Sequence, residues 1–191
     1  MRSLSASEVR RILAVIPPRS PFGARDRAML VFLLHTGLRV SEICGLTVGD
    51  VYQWGASRRY LDLPASLGKL GKARLIPLNG TAREAVSALV QFLAMRGFSI
   101  APTAPLLTNR KGEFLPVRTF QSLVQGYREK AGLSVRVTPH AFRHTFATTA
   151  MATVPDPLAL RALLGHSRTR TLEVYVHSGP DTLSKVVDAI G

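Results

Sequence analysis

Residues 24–36, ARDRAMLVFLLHT, are apolar nearly all the way round a helical wheel. A helix without a polar face has to be buried, so this segment is an interior helix. Gly37 ends it as the residue free to take a left-handed turn. The pattern around it is mostly helical. Ser5-Ala6-Ser7-Glu8 is a capping box that opens a helix through Val9, Ile12, Leu13 and Ile16, and Pro17-Pro18 stops it. Residues 40–46 read as a short helix with Arg39 at its entrance. Helical periods return over residues 81–95, 117–130 and 140–151, and shorter ones over 156–164, 169–176 and 181–190. Between Val51 and Leu78 the runs shorten and are flanked by Gly. Residues 60–63 and 74–77 read as strands, joined by a tight loop that carries Gly68-Lys69-Leu70-Gly71-Lys72. The expected class is mainly α with a small antiparallel β-sheet, in one domain over residues 1–191.

Charge bears on the partner. Lys plus Arg number 25 against 12 Asp plus Glu, a formal +13 with a pI near 11.2. Residues 1–50 hold 7 basic and 4 acidic groups, residues 51–100 hold 7 and 2, residues 101–150 again 7 and 2, and residues 151–191 hold 4 and 4. A surplus spread over most of a compact chain presents a positive surface to a polyanion. Twenty of the 25 are Arg, whose planar fork matches phosphate oxygens two at a time. An apolar fraction of 46% and a mean hydropathy of +0.14 exclude a disordered chain. The longest strongly apolar stretch, residues 28–34, is far short of the roughly 20 residues a membrane helix needs, so no membrane partner is expected. Met1-Arg2-Ser3-Leu4-Ser5 runs on into charged residues without the apolar run of a secretory leader. A single cysteine, Cys44, excludes a disulfide framework and suits a reducing cytoplasm.

The densest polar cluster is His140-Ala141-Phe142-Arg143-His144. On a helix, positions i, i+3 and i+4 share a face, which gathers two imidazoles and a guanidinium. Two His at i and i+4 have zinc-ligand spacing, but there is no adjacent Glu and no third ligand, and Arg143 repels a dication; no metal is expected. Leu163-Leu164-Gly165-His166 follows, then Tyr175-Val176-His177, with Tyr175 nine residues after His166. Upstream stands Thr36-Gly37-Leu38-Arg39-Val40-Ser41-Glu42.

In this order and spacing the motifs resemble the catalytic domain of the tyrosine recombinase (phage integrase) family, over nearly the whole chain. The resemblance implies the integrase catalytic-domain fold and six catalytic positions. Arg39 in TGLRVSE matches the first family arginine, and Glu42 the acidic residue that braces it. Lys69, eight residues before Pro77, lies where the family carries its hairpin lysine, with Lys72 three residues later. His140 and Arg143 match the first and fourth positions of HxxRH, and His144 a helix-packing and bracing residue beside them. His166 matches the histidine of LGH, Tyr175 the nucleophile, and His177 the end of YxH. Lys72 and Arg74 are expected to contact DNA with Arg39, Lys69 and Arg143.

The implied chemistry needs this set. A free Tyr has a pKa of about 10, so roughly one in a thousand is phenolate at pH 7, and cations around the phosphate must lower that barrier. Arg39 and Arg143 suit a phosphate clamp, His166 donates to the same phosphate, and His140 serves as base or proton relay. Lys69 protonates the departing 5′ oxygen, and a 3′-phosphotyrosyl bond stores the energy, so no cofactor and no ATP is required. The resemblance further implies double-stranded DNA as partner, strand exchange through a Holliday junction, and a homo-tetramer on DNA joined by exchange of C-terminal helices. It leaves room for accessory DNA-bending proteins and implies a cytoplasmic, nucleoid-associated place in a prokaryote or its mobile element. The stripe Leu183, Val186, Val187 and Ile190 suits docking into a neighbouring protomer and packing in cis equally, and both stand open. The family's usual N-terminal DNA-clamping domain is expected to be absent, the chain being either a short member or an excised fragment. Two other activities share these residues: a type IB topoisomerase-like relaxation, and DNA binding without cleavage.

Overall fold

The computed structural model describes residues 2–68, 73–165 and 180–189. The interior helix is α2 (Gly23–Thr36). It follows α1 (Ala6–Ala14), whose Ser5 cap and Glu8 form the expected capping box. Next come α3 (Val40–Gly45), α4 (Val48–Val51), strands β1 (Tyr52–Gln53), β2 (Ala56–Ser57), β3 (Tyr60–Leu63) and β4 (Arg74–Pro77), and helices α5 (Gly80–Met95), α6 (Val117–Lys130), α7 (Pro139–Thr153), α8 (Pro157–Leu164) and α9 (Pro180–Asp188). Among the described residues no helix is long and apolar enough to cross a membrane.

Helix α2 packs between α5 and α7, with Met29, Leu30, Phe32 and Leu33 wholly removed from solvent. Each of these side chains contributes about 1.5–3 kcal/mol by burial. A buried polar knot pins α2 to α6: the Tyr127 hydroxyl donates to Asp26 at 2.6 Å, and Arg25 holds the other Asp26 oxygen at 2.8 Å. Gly37 ends α2 with φ 60°, and it must be glycine on two counts. The left-handed turn disfavours a side chain, and a Cβ there would meet Phe146 of α7 at 2.4 Å. Helices α2 and α7 are thereby brought together at the turn that leads to Arg39.

The strands pair as two antiparallel two-stranded sheets, β1 with β2 and β3 with β4. In the second, Leu63 lies opposite Arg74 and Leu61 opposite Ile76. The β1–β2 hairpin and α4 have no counterpart in the sequence reading, because two- and four-residue elements are too short to show a period. The last helix carries three of the four residues of the expected stripe; Ile190 lies outside the described residues. Leu183, Val186 and Val187 are buried in cis in a second apolar cluster with Phe146, Leu160 and Leu163. The expectation of helix exchange therefore meets a stripe already covered within the chain. Two polar bonds fasten it as well: Ser184 shares a hydrogen bond with the Tyr60 hydroxyl at 3.4 Å, and Asn79 donates to the Val187 carbonyl at 2.9 Å.

Candidate active site

Arg39 caps helix α3, so the third helical residue, Glu42, points its carboxylate back at the helix entrance. One Glu42 oxygen accepts from the Arg39 backbone N–H at 2.7 Å and from Arg74 Nη2 at 2.7 Å. The other accepts from Arg39 Nη1 at 2.7 Å and from Arg74 Nη1 at 2.9 Å. Four charge-assisted or backbone bonds thus saturate a carboxylate that has no exposed surface. Burial alone would raise its pKa. The bonds from Arg74 and Arg39 and the Arg74 charge overcome that and hold it down at about 2.

The same arginines close on the end of α8. A helix leaves its last carbonyls without partners, and here guanidiniums supply them in succession. Arg74 Nε donates to Leu163 at 2.9 Å, Arg143 Nη2 to Leu164 at 2.6 Å and Arg39 Nη2 to Gly165 at 3.2 Å. Cations also suit the negative end of the helix dipole. Arg143, 5% exposed, turns its Nη1 to the Gly37 carbonyl at 2.5 Å. Burial and the neighbouring Arg39 push its pKa down to about 10, so it remains a cation at neutral pH. Among the described residues, three guanidiniums meet one carboxylate, a surplus of two positive charges. Arg39 is the member of the set with surface to offer, its side chain being 24% exposed.

His140 lies exposed on the first turn of α7, which Thr138 caps by accepting from the Ala141 N–H. Its pKa is lowered, by burial first and then by the charges of Arg143, His144 and Arg39. These influences favour the uncharged imidazole.

The structure brings together Arg39, Glu42, Arg143 and His140, all singled out by sequence. Two side chains sit otherwise than expected. Arg74 is 5% exposed, and its guanidinium is bonded to Glu42 and Leu163. His144 stands exposed, and among the described residues it is bonded along its own helix to Thr148 at 3.2 Å. The reason is helical phase, since Ala141, Phe142, Thr145 and Phe146 take the inward face of α7. Lys69, Lys72, His166, Tyr175, His177 and the expected helix over residues 169–176 lie outside the described residues.

Glu42→Gln keeps the shape and removes the charge. It is expected to destabilise the fold by about 3–5 kcal/mol at pH 7, because buried guanidiniums lose their counter-ion. The depressed pKa fixes the pH dependence. The wild-type carboxylate stabilises above its ordinary value of 4.5 and loses that contribution as pH falls toward about 2. Urea titrations should therefore show the wild type losing stability through that window more steeply than Glu42→Gln. Parallel slopes would mean that Glu42 is not the carboxylate the arginines need.

The phage integrase family model matches residues 2–181. The chain is 36% identical over 167 residues to tyrosine recombinase XerC of Pelobacter propionicus, covering 87% of this chain and 52% of that protein. It is 36% identical over 190 residues to XerC of Proteus mirabilis, covering 98% and 58%. Among solved structures it resembles the XerH site-specific recombinase bound to a palindromic difH substrate, at TM-score 0.70 and 25% identity over 96% of this chain and 52% of that one. It also resembles the Tn1549 transposon integrase in complex with transposon right-end DNA, at TM-score 0.67 and 27% identity over 94% and 63%. The chain thus spans between half and three fifths of the curated relatives described, 52% and 58% of their lengths.

Proposed function

The chain belongs to the phage integrase family, and from that premise we propose that residues 1–191 form a DNA breaking-and-rejoining domain, a tyrosine-type site-specific recombinase. The observation that carries the reading is the charge imbalance around Glu42: two guanidiniums hold its one carboxylate and a third, Arg143, lies at the same end of α8, with His140 nearby. A phosphodiester of double-stranded DNA supplies the missing negative charge, and as negative charge grows on its non-bridging oxygens the attraction strengthens.

The steps follow from the residues. Arg39 offers its exposed edge to the phosphate, while Glu42 keeps the guanidinium plane from turning away. Arg143, fixed at Gly37 and Leu164, contributes charge from below. His140, biased toward its uncharged form, accepts the proton of the Tyr175 hydroxyl as its oxygen bonds to phosphorus. The phosphorus–5′-oxygen bond breaks, Lys69 protonates the leaving oxygen, and His166 donates to the phosphate. The product is a 3′-phosphotyrosyl bond, which a 5′ hydroxyl from a second duplex reverses, so strands exchange without ATP. Exchange on two duplexes calls for four copies, and α9 is the element to link them, once freed from its bonds to Tyr60 and Asn79. Such an enzyme works in the cytoplasm at the nucleoid.

The test is covalent trapping. Nicked suicide duplexes drawn from the DNA flanking the gene are incubated with the protein in the absence of added metal and ATP. An adduct that survives SDS is expected. DNA binding without an adduct would replace this reading with a DNA-binding protein that does not cut, and relaxation of supercoiled plasmid lacking any such site would replace it with a relaxing enzyme.

A further inference from the structure

Arg74 has no part in the steps above, yet every nitrogen of its guanidinium is engaged within the site. Nη1 and Nη2 hold the two oxygens of Glu42, and Nε holds the Leu163 carbonyl. These partners belong to different halves of the site. Glu42 is the carboxylate that fixes Arg39, and Leu163 stands in the last turn of α8, just before the carbonyls taken by Arg143 and Arg39. A second observation ties the same side chain to that helix end. Gly165 takes φ +62°, and a Cβ there would meet Arg74 Nη1 at 3.0 Å and Cδ at 3.2 Å. Only a glycine lets the backbone turn out of α8 this close to the arginine.

We infer that Arg74 is a positioning residue for strand cleavage: through Glu42 it sets the plane of the Arg39 guanidinium, and through Leu163 and Gly165 it sets where the chain leaves α8 toward His166. It never touches DNA. Its buried place on β4, opposite Leu63, gives it a rigid base. The arrangement also explains why the residue is arginine. Lysine would keep the charge, but one ammonium cannot hold both carboxylate oxygens and a carbonyl in fixed geometry.

The inference rests on the recombinase reading, and the test keeps the two apart. Arg74→Lys, Arg39→Ala and the double variant are compared on the suicide duplex that the wild type traps. Single-turnover adduct formation, DNA affinity and the thermal midpoint are read for each. Arg74→Lys is expected to bind within about twofold of wild type yet cleave on the order of 10²-fold slower, the cost of a small misplacement. In the Arg39→Ala background the same change should cost less than about tenfold, because the group it orients is gone. Cleavage at the wild-type rate overturns the inference. So does full additivity with Arg39→Ala, or a parallel loss of cleavage, binding and thermal midpoint, which marks a residue that only holds the fold.

Should Arg74→Lys not fold, arginine side-chain ¹⁵N spectra of the wild type decide. Arg39 and Arg74 locked on one carboxylate give separate, slowly rotating Nη signals, whereas averaged signals overturn the inference. A wild type that forms no adduct fails the recombinase reading and this inference with it. A wild type that cuts beside an unaffected Arg74→Lys fails the inference alone.

Discussion

A Tyr175→Phe chain is expected to bind double-stranded DNA as the wild type does and to form no covalent adduct with it. The substitution removes one oxygen and leaves the ring, so packing and phosphate contacts are retained while the attacking atom is lost. The size of the effect follows from the chemistry. Tyrosine with its pKa near 10 is a poor nucleophile at neutral pH, and on the proposed reading the cations around Glu42 raise its reactivity by stabilising charge on the phosphate. Without the oxygen they have nothing to activate. Gel shift and SDS-resistant adduct formation on one suicide duplex read the two properties separately. An adduct that persists in Tyr175→Phe would assign the attack to another side chain.

Arg143→Lys should slow cleavage by at least about 10³-fold, the lower end of what a transition-state arginine contributes in phosphoryl transfer. The structure shows why lysine is the informative substitution. Arg143 donates to the Gly37 and Leu164 carbonyls from separate nitrogens, at 2.5 and 2.6 Å, and keeps further N–H groups for a ligand. Lysine has one nitrogen and cannot hold both carbonyls while reaching a phosphate. Alanine would leave both buried carbonyls unpaired, at about 1–3 kcal/mol each, and mix lost stability with lost chemistry. Single-turnover cleavage beside a thermal melt separates the two. A loss below tenfold in a folded variant would take Arg143 out of the phosphate clamp.

The regular elements were legible in the sequence because their signals are local. The capping box at Ser5, the apolar wheel over residues 24–36 and the glycine at 37 gave α1 and α2 within a residue or two of their ends. The strands Tyr60–Leu63 and Arg74–Pro77 appear with the bounds read from their short runs. Arg39 and Glu42 were paired by the family resemblance, and they form an ion pair at 2.7 Å. Arg74 was expected at the surface, though a signal for its burial existed. Strand alternation puts Arg74 on the same side as Ile76, which is wholly buried, and so turns the arginine inward. The general basic excess argued for a surface role instead. The packing role expected of His144 came from the family resemblance; which part of a helical arc faces the core depends on what packs against it, and His144 stands exposed.

The sequence by itself determined the longer helices among the described residues and the β3–β4 pair, the strong basic excess, and which family the chain resembles. Caps, periods and short motifs act over a few residues, and their physics is complete within them. Only the tertiary structure decided who partners whom. Arg74 meets Leu163 across 89 positions and Arg143 meets Gly37 across 106, and the stripe of α9 closes in cis on α8. Such pairings depend on how α2, α7 and α8 pack around Phe146. No local pattern encodes the direction in which a buried guanidinium finds its carbonyl.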